Sequence, residues 1–188
     1  MPKGIFGRLR ATGLVLATAL SATVAKADMP VTYVEDNRAL FHVNAPDFWQ
    51  VRAGGPRAIT PPGSDEARLI NRVIGFEPVS EKGVWVGFMS PNGVSTFEGA
   101  VEYLRNIGQS IVEDPILDNS KPTRIGGLAA QKYAGHGRRG GKSVNFTAVL
   151  IDLPGNRVAI SLAISEAGAN AELIGDVNAI YDSFRAAR

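Results

Sequence analysis

Cysteine is absent from all 188 residues. That single absence removes disulfides, thiolate metal sites, iron–sulfur clusters, thiol nucleophiles and a lipid anchor on cysteine. Histidine is nearly as scarce, with only His42 and His136. Two imidazoles without a His-Glu-x-x-His or comparable spacing make a poor metal site, so no metal and no cofactor is expected. No Gly-x-Ser-x-Gly elbow occurs, and no catalytic residue is assigned. Long apolar runs are also missing. The run from Ala11 to Leu20 falls well short of the roughly 20 residues that a membrane helix needs.

What the sequence does have is concentrated at its start. Lys3, Arg8 and Arg10 precede the apolar run, and small residues follow it, closing with Ala25-Lys26-Ala27. A basic end, a short apolar segment and a small-residue cleavage site together make the pattern of a secretory signal peptide. Cleavage between Ala27 and Asp28 is expected to release residues 28–188 as a single domain with no membrane span and no lipid anchor, in the periplasm. Removing the leader changes the charge. The full chain has 20 Lys+Arg and 18 Asp+Glu, and Lys3, Arg8, Arg10 and Lys26 all leave with the leader, so 16 basic groups face 18 acidic ones. A faintly acidic body lacks the retained basic surface that displaces counterions from nucleic acid, and nucleic-acid binding is not expected.

Residues 28–38 are polar and read as a lead-in. Ala39–Ala45 reads as a short strand ended by Pro46, with Phe48–Val51 as its partner across a turn. Gly54-Gly55-Pro56 and Pro61-Pro62-Gly63-Ser64-Asp65 read as loop; Ala67–Glu77 and Val84–Met89 read as strands. A helix is predicted from Ser95 to about Ile111. Ser95 and Glu98 have capping-box spacing, and Phe97, Ala100, Val101, Leu104, Ile107, Gly108 and Ile111 form one apolar stripe. Glu113–Pro122 reads as loop. Leu128–Ala134, Ser143–Ile151 and Arg157–Ser165 read as strands, the last two alternating with period two around a tight turn at Leu153-Pro154-Gly155-Asn156. One face of the last strand is small (Ala159, Ser161, Ala163), which lets another layer approach closely. A second helix is predicted from Asn170 to about Arg185, with Leu173, Ile174, Val177, Ile180, Tyr181 and Phe184 inward.

Several motifs resolve into ordinary structure. Gly135, Gly137 and Gly140 match a dinucleotide-binding fingerprint, but the chain continues from Lys142 as strand where that chemistry needs a helix N-terminus. Gly141-Lys142-Ser143 resembles the end of a phosphate-cradling loop and fails the same test. The glycines are read as supplying a hairpin turn, with Arg138, Arg139 and Lys142 at its tip as a candidate anion or partner contact. Glu113-Asp114 and Asp65-Glu66 read as solvated turns. Asn145-Phe146-Thr147 fits a glycosylation acceptor but falls mid-strand. Trp49 and Trp85 are expected to anchor the core.

The order of elements suggests a family. A short early hairpin with Pro46 and Trp49, the strand at Val84–Met89 and the helix from Ser95 come first. Arg124-Ile-Gly-Gly-Leu-Ala-Ala-Gln-Lys-Tyr133 then leads into a long hairpin and a terminal helix ending Ile180-Tyr-Asp-Ser-Phe184. This resembles the PsbP-like superfamily, across nearly all of residues 28–188. The resemblance implies an α+β fold: an antiparallel sheet of about six or seven strands flanked by helices, an α/β/α sandwich. It also implies action by binding or assembly. The metal-binding and GTPase-binding residues of known members find no matching position here, so no functional residue is carried over. The expectation is a non-enzymatic periplasmic protein of a Gram-negative bacterium that works with another envelope protein. The alternatives are a periplasmic hydrolase with scattered residues and a small-ligand carrier using a cleft between sheet and helix.

Overall fold

The computed structural model describes residues 28–59, 68–70 and 72–188. The expected leader (1–27), the loop at Pro61–Asp65 and the Asp65-Glu66 pair lie outside the described residues. In chain order the elements are β1 (Asp28–Glu35), β2 (Arg38–Pro46), β3 (Trp49–Gly54), β4 (Arg57–Ile59), β5 (Arg68–Ile70), β6 (Val73–Pro78), β7 (Val84–Met89), α1 (Phe97–Gly108), β8 (Glu113–Ile125), β9 (Leu128–Arg139), β10 (Lys142–Leu153), β11 (Arg157–Glu166), α2 (Ala171–Asp182) and β12 (Arg185–Ala186). Seven strands make one antiparallel sheet in the order β3-β6-β7-β11-β10-β9-β8. β1, β2 and β12 form a small sheet of their own, and β4 pairs with β5.

Alternation along β10 and β11 divides the core between two faces. Val149, Ile151 and Ala159 join the cluster that includes Phe41, Phe88, Val177 and Ile180, which brings α2 and the small sheet onto one face. Leu150, Val158 and Ile160 join Met89, Ala100 and Ile107, which brings α1 onto the other. The small face of β11 does admit a second layer: Ser161 is fully buried and meets the Tyr181 hydroxyl at 2.9 Å. The α+β sandwich expected from the sequence is therefore the fold observed.

Four local expectations need correction. Residues 28–35 are not a lead-in but a strand, paired with β2 from Asp28↔Pro46 onward. The predicted partner of β2, the stretch after Phe48, instead becomes β3 and pairs with β6, because Trp49 faces the core of the large sheet. The predicted strand at 67–77 is two strands, β5 and β6. The predicted loop at 113–122 belongs to β8, the outermost strand of the large sheet. Its polar residues fit an edge exposed to water, which produces no apolar rhythm.

The helix ends also shift. Thr96, not Ser95, caps α1: its hydroxyl accepts the Gly99 amide at 3.1 Å. Asn170 caps α2 as expected, accepting from the Glu172 amide at 2.9 Å. Arg185 lies past the helix in β12, yet its guanidinium still donates to the Asp182 carbonyl at 2.7 Å and so serves the C-terminal end.

Candidate functional site

α1 covers only part of its face of the large sheet. The remainder, spanning β3, β6, β7, β11 and the tip of the β9–β10 hairpin, is an open concavity of about 490 Å³. Its floor is Trp85. Gly75 and Gly87 face each other across β6 and β7, and the indole lies over both. A Cβ on Gly75 would sit 2.9 Å from the indole Nε1, and one on Gly87 would run into the benzo edge of the ring. Two glycines in strand interiors each cost about 0.5–1 kcal/mol relative to alanine, so the sheet is weakened where it receives this ring. Trp85 is only partly buried, unlike Trp49, which is buried as expected and whose indole N–H donates to Asp176 at 3.4 Å.

The rim of this shelf is ionic. Arg52 Nε lies 2.9 Å from Glu77 Oε1, and Gln50 donates to the same carboxylate at 2.8 Å. Lys142 Nζ lies 2.7 Å from Glu166 Oε2. Glu81 accepts from Asn170 at 3.4 Å. Arg139 holds its guanidinium carbon 5.5 Å above the centre of the Trp85 ring, within cation–π range. Among the described residues, no hydroxyl and no imidazole lines the concavity.

The three cations expected at the hairpin tip are thus not one cluster. The turn itself is Gly140-Gly141, both with positive φ, closing the Arg139↔Lys142 pair. Neighbouring strand residues project to opposite faces, so Arg139 reaches the shelf while Arg138 turns away and donates to the Gly141 carbonyl at 3.2 Å. Lys142 is occupied by Glu166. Gly135 and Gly137 are not part of the turn. They lie inside β9, where a Cβ on Gly137 would come 2.5 Å from Val112 and one on Gly135 would meet the Phe146 ring at 2.5 Å. Sequence reading missed Gln50, Arg52, Glu77 and Trp85 as a group. They come from three strands that meet only through sheet order, although the glycines flanking Trp85 at positions 75 and 87 were a usable hint.

The two histidines lie elsewhere and apart. His42 faces Thr32 across β1 and β2, with Nδ1 2.8 Å from the hydroxyl, and His136 pairs with Asp118 at 3.0 Å. Neither pair lines any of the cavities described here, and neither brings a hydroxyl, an imidazole and a carboxylate together. Among the described residues no group of three or more His, Asp or Glu is placed to hold a metal ion, and no helix is long and apolar enough to cross a membrane. A second cleft of about 420 Å³ runs between α2 and the sheet, past Thr123, Lys132, Thr147, Asn178 and Tyr181. A third, apolar groove lies between α1 and β8, past Leu104, Val112, Leu117 and Tyr133.

No family model matches the sequence, and no curated protein is significantly similar to it. Solved structures do share the fold. The solution structure of cyanobacterial PsbP from Synechocystis sp. PCC 6803 matches with a TM-score of 0.52 at 9% identity, covering 91% of this chain and 99% of that one. A crystal structure from Bacteroides thetaiotaomicron matches with a TM-score of 0.50 at 12% identity, covering 79% of this chain. The chain spans 46% of the length of that protein. LpqN, involved in cell envelope biogenesis of Mycobacterium tuberculosis, matches with a TM-score of 0.46 at 12% identity, over 86% of this chain and 91% of LpqN. The chain has the PsbP-like fold that the order of its elements implied.

Proposed function

We propose that the chain is exported to the periplasm of a Gram-negative bacterium, is cut between Ala27 and Asp28, and works there without catalysis as a binding or assembly protein of the envelope, using the Trp85 shelf as its recognition surface. Export rests on the leader sequence. The recognition role rests on one observation above all: an aromatic floor with a guanidinium over it, in a concavity with neither a hydroxyl nor an imidazole to act as nucleophile or base. Its carboxylates are held by Arg52, Gln50, Lys142 and Asn170. This arrangement supports a binding role.

Cell fractionation with N-terminal sequencing tests the address. The expected result is a periplasmic protein beginning at Asp28; a cytosolic protein retaining Met1 overturns it. A photo-crosslinker at Val79, which is 68% exposed and lies on the rim of the shelf, tests the role. It should capture an envelope component, and the capture should be lost when Trp85 is replaced by Ser. Saturable turnover of a small substrate, abolished by one substitution on the shelf, would refute the non-enzymatic reading.

A further inference from the structure

The shelf leaves cationic charge unspent. Arg52 is taken by Glu77 and Lys142 by Glu166, whereas the Arg139 guanidinium has no hydrogen-bond or ion-pair partner among the described residues. It is not a loose loop cation either, because it stands over the Trp85 ring. An aromatic face under a guanidinium limits where its planar fork can point, and that fork fits carboxylate or phosphate oxygens two at a time. Lys82 lines the same concavity. The lining also carries Glu77, held by Arg52, Glu166, held by Lys142, and Glu81, held by Asn170, and its apolar part includes Val144, Ile164 and the indole. A volume of about 490 Å³ is in the range of pockets that take small organic molecules, and far more than a bare ion fills.

We propose that the Trp85–Arg139 shelf binds a small organic oxyanion, a carboxylate or phosphate ester carrying a flat apolar body. The oxyanion sits on the Arg139 fork with Lys82 at the rim, and the apolar body lies along Val144, Ile164 and Trp85. This rests on the reading of the shelf as a non-catalytic recognition surface and names the chemistry that it recognises. The glycine pair at 75 and 87 then has a purpose beyond packing, since it lowers the indole into the sheet and leaves depth above it for the ligand.

Isothermal titration calorimetry on the purified full chain tests this with phenyl phosphate, benzoate, inorganic phosphate and phenol. Phenyl phosphate and benzoate should bind at one site. Phenol lacks the charge-assisted bonds and should bind roughly tenfold more weakly or worse, and inorganic phosphate, lacking the apolar body, should also be weaker. Arg139→Gln should lower the affinity for phenyl phosphate roughly tenfold, while Arg139→Lys, with the charge but not the fork, should recover only part of it. Arg138→Gln, one residue away on the opposite face, should change nothing. Melting temperatures of the three variants confirm that each is folded. The proposal is overturned if neither organic anion binds, if inorganic phosphate binds as tightly as phenyl phosphate, or if Arg138→Gln weakens binding as much as Arg139→Gln. Capture of an envelope component through Val79 without any anion binding would remove this ligand class and leave the recognition role standing. Turnover at the shelf would remove the role while leaving measured anion affinities intact.

Discussion

Ser161 shows how one hydroxyl joins two layers. It is fully buried on β11, and its oxygen is 3.1 Å from the Gly87 carbonyl and 2.9 Å from the Tyr181 hydroxyl. The carbonyl can only accept, so Ser161 donates to it and Tyr181 donates to Ser161. Ser161→Ala strands a buried phenol O–H and should destabilise the fold by about 1–3 kcal/mol. Tyr181→Phe leaves the Ser161 bond to Gly87 in place and should cost less, and urea unfolding of the two variants gives the comparison. Burial pushes the Tyr181 phenol up to about 12, and burial is also the main reason that Tyr33 rises to about 12. An unfolded phenol titrates near 10, so between pH 10 and 12 the native state holds protons that the unfolded state has lost. Stability should be undiminished by this effect below pH 10 and should fall as pH rises toward 12, by on the order of 2–3 kcal/mol per phenol. Urea midpoints taken at pH 8, 10 and 11.5 should show the fall, and Tyr181→Phe should make it shallower. The small face of β11 was legible in the sequence as room for a neighbour. That Ser161 would share a proton chain with a tyrosine 20 residues on was not, because it depends on where α2 lands.

The elements most readily read were the β-branched, apolar strands at the centre of the large sheet, buried largely on both faces. β7 was read at its observed limits, and the β10–β11 hairpin appeared with its turn, since both of its strands carry a strict period of two. β8 failed to appear because nothing buries it. Its residues from Glu113 to Pro122 are exposed, and it holds Pro115 and Pro122. Proline has no amide hydrogen to give to a ladder, so it suits a strand with an open side and blunts that side against pairing with another chain. The shelf was hidden for a different reason. Trp49 and Trp85 look alike in sequence, but Trp49 points into the aromatic layer and Trp85 onto the half of the sheet that α1 leaves open. What separates them is the glycine at each position under the Trp85 ring. Gly87→Ala tests that arrangement. A methyl there runs into the indole, so the ring must lift from the sheet. The expected outcome is a loss of about 1–3 kcal/mol together with a shift in tryptophan emission. An unchanged spectrum would mean that the ring does not depend on the glycine floor.

At the scale of the whole molecule, Phe184 and the small sheet hold the layers together. Phe184, just past α2, stacks on Phe41 of the small sheet at 5.0 Å and on Phe88 of the large sheet at 6.2 Å. Tyr33 stacks on Phe41 in turn at 4.8 Å. The next residues form β12 and pair with β2 at Arg185↔His42 and Ala186↔Phe41. Gly126, from the Gly-Gly that leads into β9, comes so close to the Phe184 backbone that a Cβ would meet its carbonyl oxygen. A motif that served in the sequence as a mark of resemblance thus has a packing role. This layer joins a strand at residues 28–35 to residues 184–186, so the small sheet is complete only with β12 in place. Phe184→Ala should therefore do more than open a cavity. The lost burial alone should cost about 3–5 kcal/mol, and the loss should also loosen β12 and β1, which flank β2 in the small sheet. Amide hydrogen exchange should show faster exchange in β1, β2 and β12 than in β10 and β11. Exchange raised equally across the large sheet would instead mean that the molecule opens as one unit and that Phe184 is an ordinary core residue.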